Sequence, residues 1–272
     1  MEPLPKVWRN AQDGLVTAWG WSKDSADEAL TLAQERLASS IKAIRAGIPR
    51  ARQGSYGWAP PREETLHEVY DGDTLIGIVS RNRYGADVLA TDRLLIADVD
   101  TPPVRRVRKL FGRGKGGGES PKDVALQAIR AFAEEHPALG VRAYETYGGF
   151  RVIVTGSRHT PESPEAAALF EQLGTDRIYA HLCRKFSTCR ARLTPKPWRC
   201  GMRRSFPAWP PASSDQETAA ASWLAEYQAA TTQFATCRLR HSAGPPPDAL
   251  EWQLIELHDR TSRVTSEQLP LA

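Results

Sequence analysis

In the stretch DRLLIADVDTPP, residues 92–103, an apolar run ends in two carboxylates. Leu94, Leu95, Ile96, Ala97 and Val99 have the composition of a buried strand. Side chains two apart on a strand share a face, so Asp98 and Asp100 project together where the chain reaches Pro102 and Pro103. Two like charges held side by side are costly without a positive partner. A divalent cation, backbone amides, or the nearby Arg105 and Arg106 would each serve, and the spacing alone does not choose among them.

The flanking sequence sets the fold class. SADEALTLAQERLASSIKAIRAG (25–47) carries apolar residues at helical spacing, with Ser25 or Asp24 as cap and Glu28 three residues after Ser25. GSYGWAPPREE is turn-rich. TLIGIVSRNR (74–83) and RLLIADVD (93–100) read as strands separated by YGADVLAT, itself a candidate short strand; so few connecting residues predict an antiparallel hairpin or meander. The basic, glycine-rich stretch RRVRKLFGRGKGGGES follows, and Ser120 with Pro121 then starts a helix.

GVRAYETYGGFRVIVTG (140–156) gives strand, Gly148-Gly149 turn, strand. Helices are expected over 161–174 and in DRIYAHLCRKF. CRARLTPKPWRCG (189–201) reads as a strand entering a proline-restricted loop. Two more helices fall in DQETAAASWLAEYQAATTQFA and DALEWQLIELHDRTS. Strand pairs mixed with helices predict an α+β fold, mainly antiparallel sheet flanked by helices. The expected division is an N-terminal helical segment (1–60), an α+β core (61–211) and a C-terminal helical extension (212–272).

Composition bounds the function classes. A chain of 272 residues with 41% hydrophobic and 25% charged content is of ordinary globular type. Mean hydropathy of −0.46 and the lack of a long apolar run predict no membrane span. MEPLPKVWRN has no apolar signal core, so a cytoplasmic location is expected. The net charge of +4 is mild, but basic residues concentrate in two stretches, which suits phosphate-bearing partners.

Two further features carry chemistry. In YETYGGFRVIVTG (144–156) the Gly148-Gly149 turn allows close backbone approach to a phosphate, with Arg151 beside it; Glu145 is either a third acidic group or an exposed strand residue. In CRARLTPKPWRCG, Arg190 and Arg192 share a face of a strand, while Lys196 and Arg199 sit in a loop stiffened by Pro195 and Pro197. Four cations on a rigid segment suit a triphosphate or a nucleic-acid backbone. Trp198 is either a base-stacking ring or a core anchor for the loop. His181, Cys183, Cys189 and Cys200, with one, five and ten intervening residues, match no standard zinc knuckle. Buried free thiols are therefore expected in place of zinc. No Walker phosphate loop, nucleophile elbow or His-Glu-x-x-His is present.

Taken in order, LLIADVD, ETYGGFRVIV and RARLTPKP resemble the first metal motif, the nucleotide-binding turn and the arginine segment of the archaeo-eukaryotic primase superfamily. The likeness is nearest to its primase-polymerase and plasmid-replication branches, and it covers roughly residues 75–200. It departs at Arg151, where the family's turn carries histidine. The resemblance implies a primase-polymerase-like core and a nucleotidyltransferase acting on nucleoside triphosphates and DNA or RNA. It implies Mg²⁺ or Mn²⁺ on Asp98, Asp100 and a third carboxylate, with Asp176 first and Glu145 behind it. Phosphates would fall to Gly148, Gly149, Arg151, Arg190, Arg192, Lys196 and Arg199. The rival expectations are a metal-dependent nuclease on the same acidic cluster and a non-catalytic nucleic-acid-binding protein.

Overall fold

Strand β8 (Gly149–Thr155) is buried at all seven of its positions, as expected of a central strand covered on both faces. It pairs antiparallel with β7 (Gly140–Thr146) on one side and with β6 (Leu95–Asp100) on the other; β10 (Cys237–Ala243) completes the order β10-β7-β8-β6. A second four-stranded sheet has the order β3 (Glu64–Asp71), β4 (Thr74–Arg81), β5 (Asp87–Thr91), β9 (Cys189–Arg192). A separate hairpin joins β1 (Val7–Asp13) to β2 (Val16–Ser22). The computed structural model describes residues 1–48, 59–102 and 119–272.

Six α-helices accompany these strands among the described residues: α1 (Ala26–Arg45), α2 (Pro121–Glu135), α3 (Pro164–Gln172), α4 (Arg177–Phe186), α5 (Ser214–Thr231) and α6 (Ala249–Ser262). The fold is α+β with antiparallel sheets flanked by helices. Local chemistry sets the helix starts. The Ser25 side chain accepts from Glu28 N–H to open α1, and Ser120 forms a reciprocal capping box with Asp123 ahead of Pro121.

The two faces of the β10-β7-β8-β6 sheet have different covers. Leu95, Ala97 and Val99 lie with Phe150, Val152 and Val154 on one face, and Ile129, Phe132 and Ala133 of α2 join that core. Asp98, Asp100, Arg151 and Tyr144 lie on the other face, partly covered by α6. Helix α6 also reaches the second sheet. A Cβ built on Gly77 of β4 would come within 2.8 Å of Leu254 Cδ2, so the glycine makes room for the helix. One continuous core spans both sheets, drawing on Ile76 and Leu89 as well as Ile96 and Ile153.

Several sequence expectations are corrected by this topology. Strand β6 does not continue the β4–β5 meander; it crosses to the other sheet and pairs with β8. The N-terminal segment is not helical throughout, because β1 and β2 precede α1. The C-terminal region is not a helical appendage either. Between α5 and α6 it supplies β10, an edge strand of the central sheet. The basic glycine-rich stretch from residue 105, including Arg105 and Arg106, lies outside the described residues up to 118.

Candidate functional site

The register between β6 and β8 sets Asp98 directly opposite Arg151 and Asp100 opposite Gly149. Asp98 directs its carbonyl to the outer side of β6, where it accepts from the Asp176 N–H at 2.8 Å. Asp98 and Arg151 thus form the non-hydrogen-bonded kind of antiparallel pair, in which the side chains approach most closely. Gly149 is required for this arrangement. A Cβ there would fall 2.0 Å from the Val99 carbonyl oxygen, so only glycine lets β8 begin against the end of β6. A Cβ on Gly148 would meet Asp100 Oδ1 at 3.5 Å, which puts the turn against that carboxylate.

The basic loop comes to the same place from the second sheet. Its backbone is pinned by α5: the Tyr227 hydroxyl donates to the Pro195 carbonyl, and Trp223 Nε1 donates to the Arg204 carbonyl at 2.9 Å. Met202, Trp223 and Tyr227 form a small core of their own under this loop. Thr194 Oγ1 accepts from Asp87 N–H at 2.9 Å, tying the end of β9 to β5. A short 3₁₀ turn, Pro197–Arg199, follows.

Electrostatics make these elements one site. Burial holds the Asp98 carboxyl above its usual range; the charges of Arg151, Arg192 and Lys196 pull it down, and Asp100 pushes it up. Burial, then Arg151 and Arg199, press the Arg192 guanidinium down to about 10. Lys196 is lowered by burial and then by Arg192 and Arg199, and Arg199 is lowered by burial. Two carboxylates therefore face four cations. Among the described residues, none of the four has a carboxylate oxygen within 4.0 Å. The surplus is positive and half-buried, which is the condition for binding an anion.

Not every expected residue joins. Arg190 shares a strand with Arg192, but its guanidinium pairs with Glu63, away from the aspartates. Glu145, one position from Tyr144, points to the α2 face of the sheet, where Lys122 Nζ lies 2.8 Å and Arg240 2.7 Å from its carboxylate. Asp176 lies beside Asp98 through its backbone, while its carboxylate caps α4 by accepting from Tyr179 N–H at 2.8 Å. Among the described residues no group of three His, Cys, Asp or Glu side chains is placed to hold a metal ion. The Gly149 N–H is already engaged, donating to Thr146 Oγ1 at 3.1 Å. Cys183, Cys189 and Cys237 are buried free thiols.

Tyr147 and His258 enter without having been expected, and Trp198 is decided between its two alternatives. Tyr147, 57% exposed and next to the glycine turn, lies under the Arg199 guanidinium at 4.0 Å. Trp198 is 54% exposed, so it is no core anchor. It packs edge-on to Tyr84 at 5.3 Å, with Lys196 Nζ 5.6 Å from its ring. Both side chains are more than half exposed beside the charged cluster. Behind Arg151 stands His258 of α6, which is fully buried. A tyrosine before a Gly-Gly turn is visible in sequence as an aromatic near a phosphate turn. Nothing local marks His258.

Arranged in this way, the site offers anion-binding charge, two aligned carboxylates and exposed aromatic faces. No helix among the described residues is long and apolar enough to cross a membrane. Compared with protein-family models, with curated proteins and with solved structures, the chain returns no match.

Proposed function

We propose that this chain is a divalent-metal-dependent nucleotidyltransferase of primase-polymerase type, acting on nucleoside triphosphates together with DNA or RNA. The observation that carries the reading is the pairing of two same-face carboxylates, Asp98 and Asp100, with four cations that have no carboxylate partner. A polyanion satisfies the cations, and a divalent cation satisfies the carboxylates. A triphosphate carrying its metal does both.

The residues fit such a cation in one specific way. Mg²⁺ and Mn²⁺ are commonly held by one or two carboxylates, with water and substrate phosphates filling the remaining positions. Asp98 and Asp100 are two, and Asp98 is a carboxyl whose raised pKa a nearby cation would reverse. When bound, the cation would supply neutralisation of the triphosphate charge and alignment of the reacting oxygens. Arg192, Lys196 and Arg199 grip phosphate oxygens, with arginine giving bidentate contacts. Arg151, fixed on the central strand, aims its charge at the same phosphates. Tyr147 and Trp198 offer faces on which a base stacks.

The test is a thermal shift with Mn²⁺ and a nucleoside triphosphate together. We expect stabilisation in the parent chain and none in Asp98→Ala, with extension of a labelled primer–template by the parent only. Shortening of the labelled strand without added nucleotides would instead identify a nuclease. A shift unchanged in Asp98→Ala would remove the metal–nucleotide reading.

The surplus of cations and the exposed rings also favour a second reading, a non-catalytic nucleic-acid-binding protein whose aspartates are structural. It predicts oligonucleotide binding that weakens with salt and is indifferent to chelator and to loss of both aspartates.

A further inference from the structure

Arg151 is 5% exposed, sits on the central strand, and has no carboxylate within 4.0 Å among the described residues. A buried guanidinium needs something to fix it, since an arginine carries a large rotamer entropy that buried contacts must offset. Its Nη1 lies 2.8 Å from Nε2 of His258. The other ring nitrogen of His258, Nδ1, lies 2.7 Å from Asp259 Oδ1. Tyr144 closes the remaining side, edge-on to the imidazole at 4.9 Å. Asp259 is itself held by Arg142 Nη2 at 3.3 Å.

The donor and acceptor inventory fixes the roles along this chain. Arginine only donates, so Nε2 must present its lone pair to Arg151, and the ring proton must then sit on Nδ1, directed at Asp259. On this assignment the ring is neutral and its tautomer is chosen by the carboxylate behind it, although, against burial, Cys237 and Asp259 raise its affinity for a second proton. We propose that His258 and Asp259 are positioning residues. They hold Arg151 in the orientation that turns its charge toward Asp98 and an anion bound there. The proposal rests on the anion-binding reading above for its consequence, but the relay itself is a property of the resting protein.

A competing arrangement exists. Cys237 Sγ lies 3.8 Å from the same Nε2. A proton on Nε2 would pair an imidazolium with a Cys237 thiolate and leave Arg151 without its acceptor.

The experiment has two parts. First, ring ¹⁵N shifts of His258 in the intact protein at neutral pH are expected to show Nδ1 protonated and Nε2 bare. An imidazolium, or the proton on Nε2, overturns the proposal. Second, tripolyphosphate affinity is measured by calorimetry for His258→Phe, which removes the acceptor, and for His258→Gln, which keeps one. We expect a loss of about tenfold in the first, the worth of one hydrogen bond to a charged group, and recovery to within about threefold in the second. Asp259→Asn, at a partly exposed position, is the milder variant if the phenylalanine chain fails to fold. It should weaken binding about threefold and shift the His258 ring signals.

Equal losses in the Phe and Gln variants, or parent-like binding in Phe, would show a merely structural histidine. If the parent itself does not bind tripolyphosphate, the anion-binding reading falls, and the ring shifts still decide the relay.

Discussion

The central sheet carries a charged cluster on each face, and the two are built differently. On the α2 face, Glu145 is held by Lys122 and Arg240 at 2.8 and 2.7 Å, with a further bond from Lys122 Nζ to the Thr146 carbonyl. The charges meet, and the cluster is closed. On the opposite face, Asp98 and Asp100 see Arg151, Arg192, Lys196 and Arg199 without direct pairing, and burial depresses three of those cations. The first cluster is satisfied by the protein alone. The second is left short of negative charge, and that deficit distinguishes a site from a brace.

The largest expected break in this contrast is Arg192→Met. It keeps the stem's volume but removes a partly buried cation of the open cluster. Triphosphate affinity should fall about 30- to 100-fold, from the loss of charge-assisted bonds. Arg240→Met, at the closed cluster, should leave it unchanged. Titration calorimetry on the two variants separates them, and equal losses would erase the distinction between the faces.

A smaller effect is expected from Asp98→Asn without ligand. The folded-state pKa of Asp98 lies above its unfolded value, so the native state holds its proton more tightly. Stability is therefore lost as pH rises out of the unfolded carboxyl range toward the raised folded value. Asparagine carries no such cost. The variant should melt about 2–4 °C higher at pH 7, with the gain vanishing below about pH 4, the unfolded carboxyl range. A lower melting temperature at pH 7 would contradict the partly buried, unpaired state of this carboxylate.

Least is expected from Glu145→Gln. Its pKa is lowered: burial opposes ionisation, but Lys122 and Arg240 outweigh it. The contribution is present above the unfolded pKa and lost as pH falls through the folded one. Chemical denaturation at pH 7 should show a loss of about 0.5–1 kcal/mol, typical of partly exposed ion pairs, that closes in acid. Anion binding should not change.

Much of this was readable in the chain. The same-face aspartates, the Gly148-Gly149 turn, the capped start of α2 at Ser120 and the stiffened basic loop follow from local periodicity and turn chemistry. What was not readable depends on partners distant in sequence. Glu145 and Tyr144 are adjacent, and only the β7–β8 register decides which of them faces Asp98. Arg190 and Arg192 look equivalent until Glu63, 127 residues from Arg190, claims one of them. Strands β1, β3 and β10 are rich in polar residues and only partly buried, so they lack the apolar signature that revealed β4, β6 and β8. Strand β10 also carries an irregularity between Leu239 and His241 that breaks its alternation.

The bond from Asp176 N–H to the Asp98 carbonyl bears on association as well as on the site. Strand β6 ends its sheet, and an unpaired strand edge is a template on which another chain can add. Here the start of α4 occupies that edge at the position of the first aspartate. The opposite border, β10, is guarded by Arg238 and Arg240 and by its irregular register. The border that carries the carboxylates is thus met by main chain at Asp98, the first of its two aspartates. Removing the α4 start should expose a sticky strand before it disturbs any ligand, with self-association as its first sign.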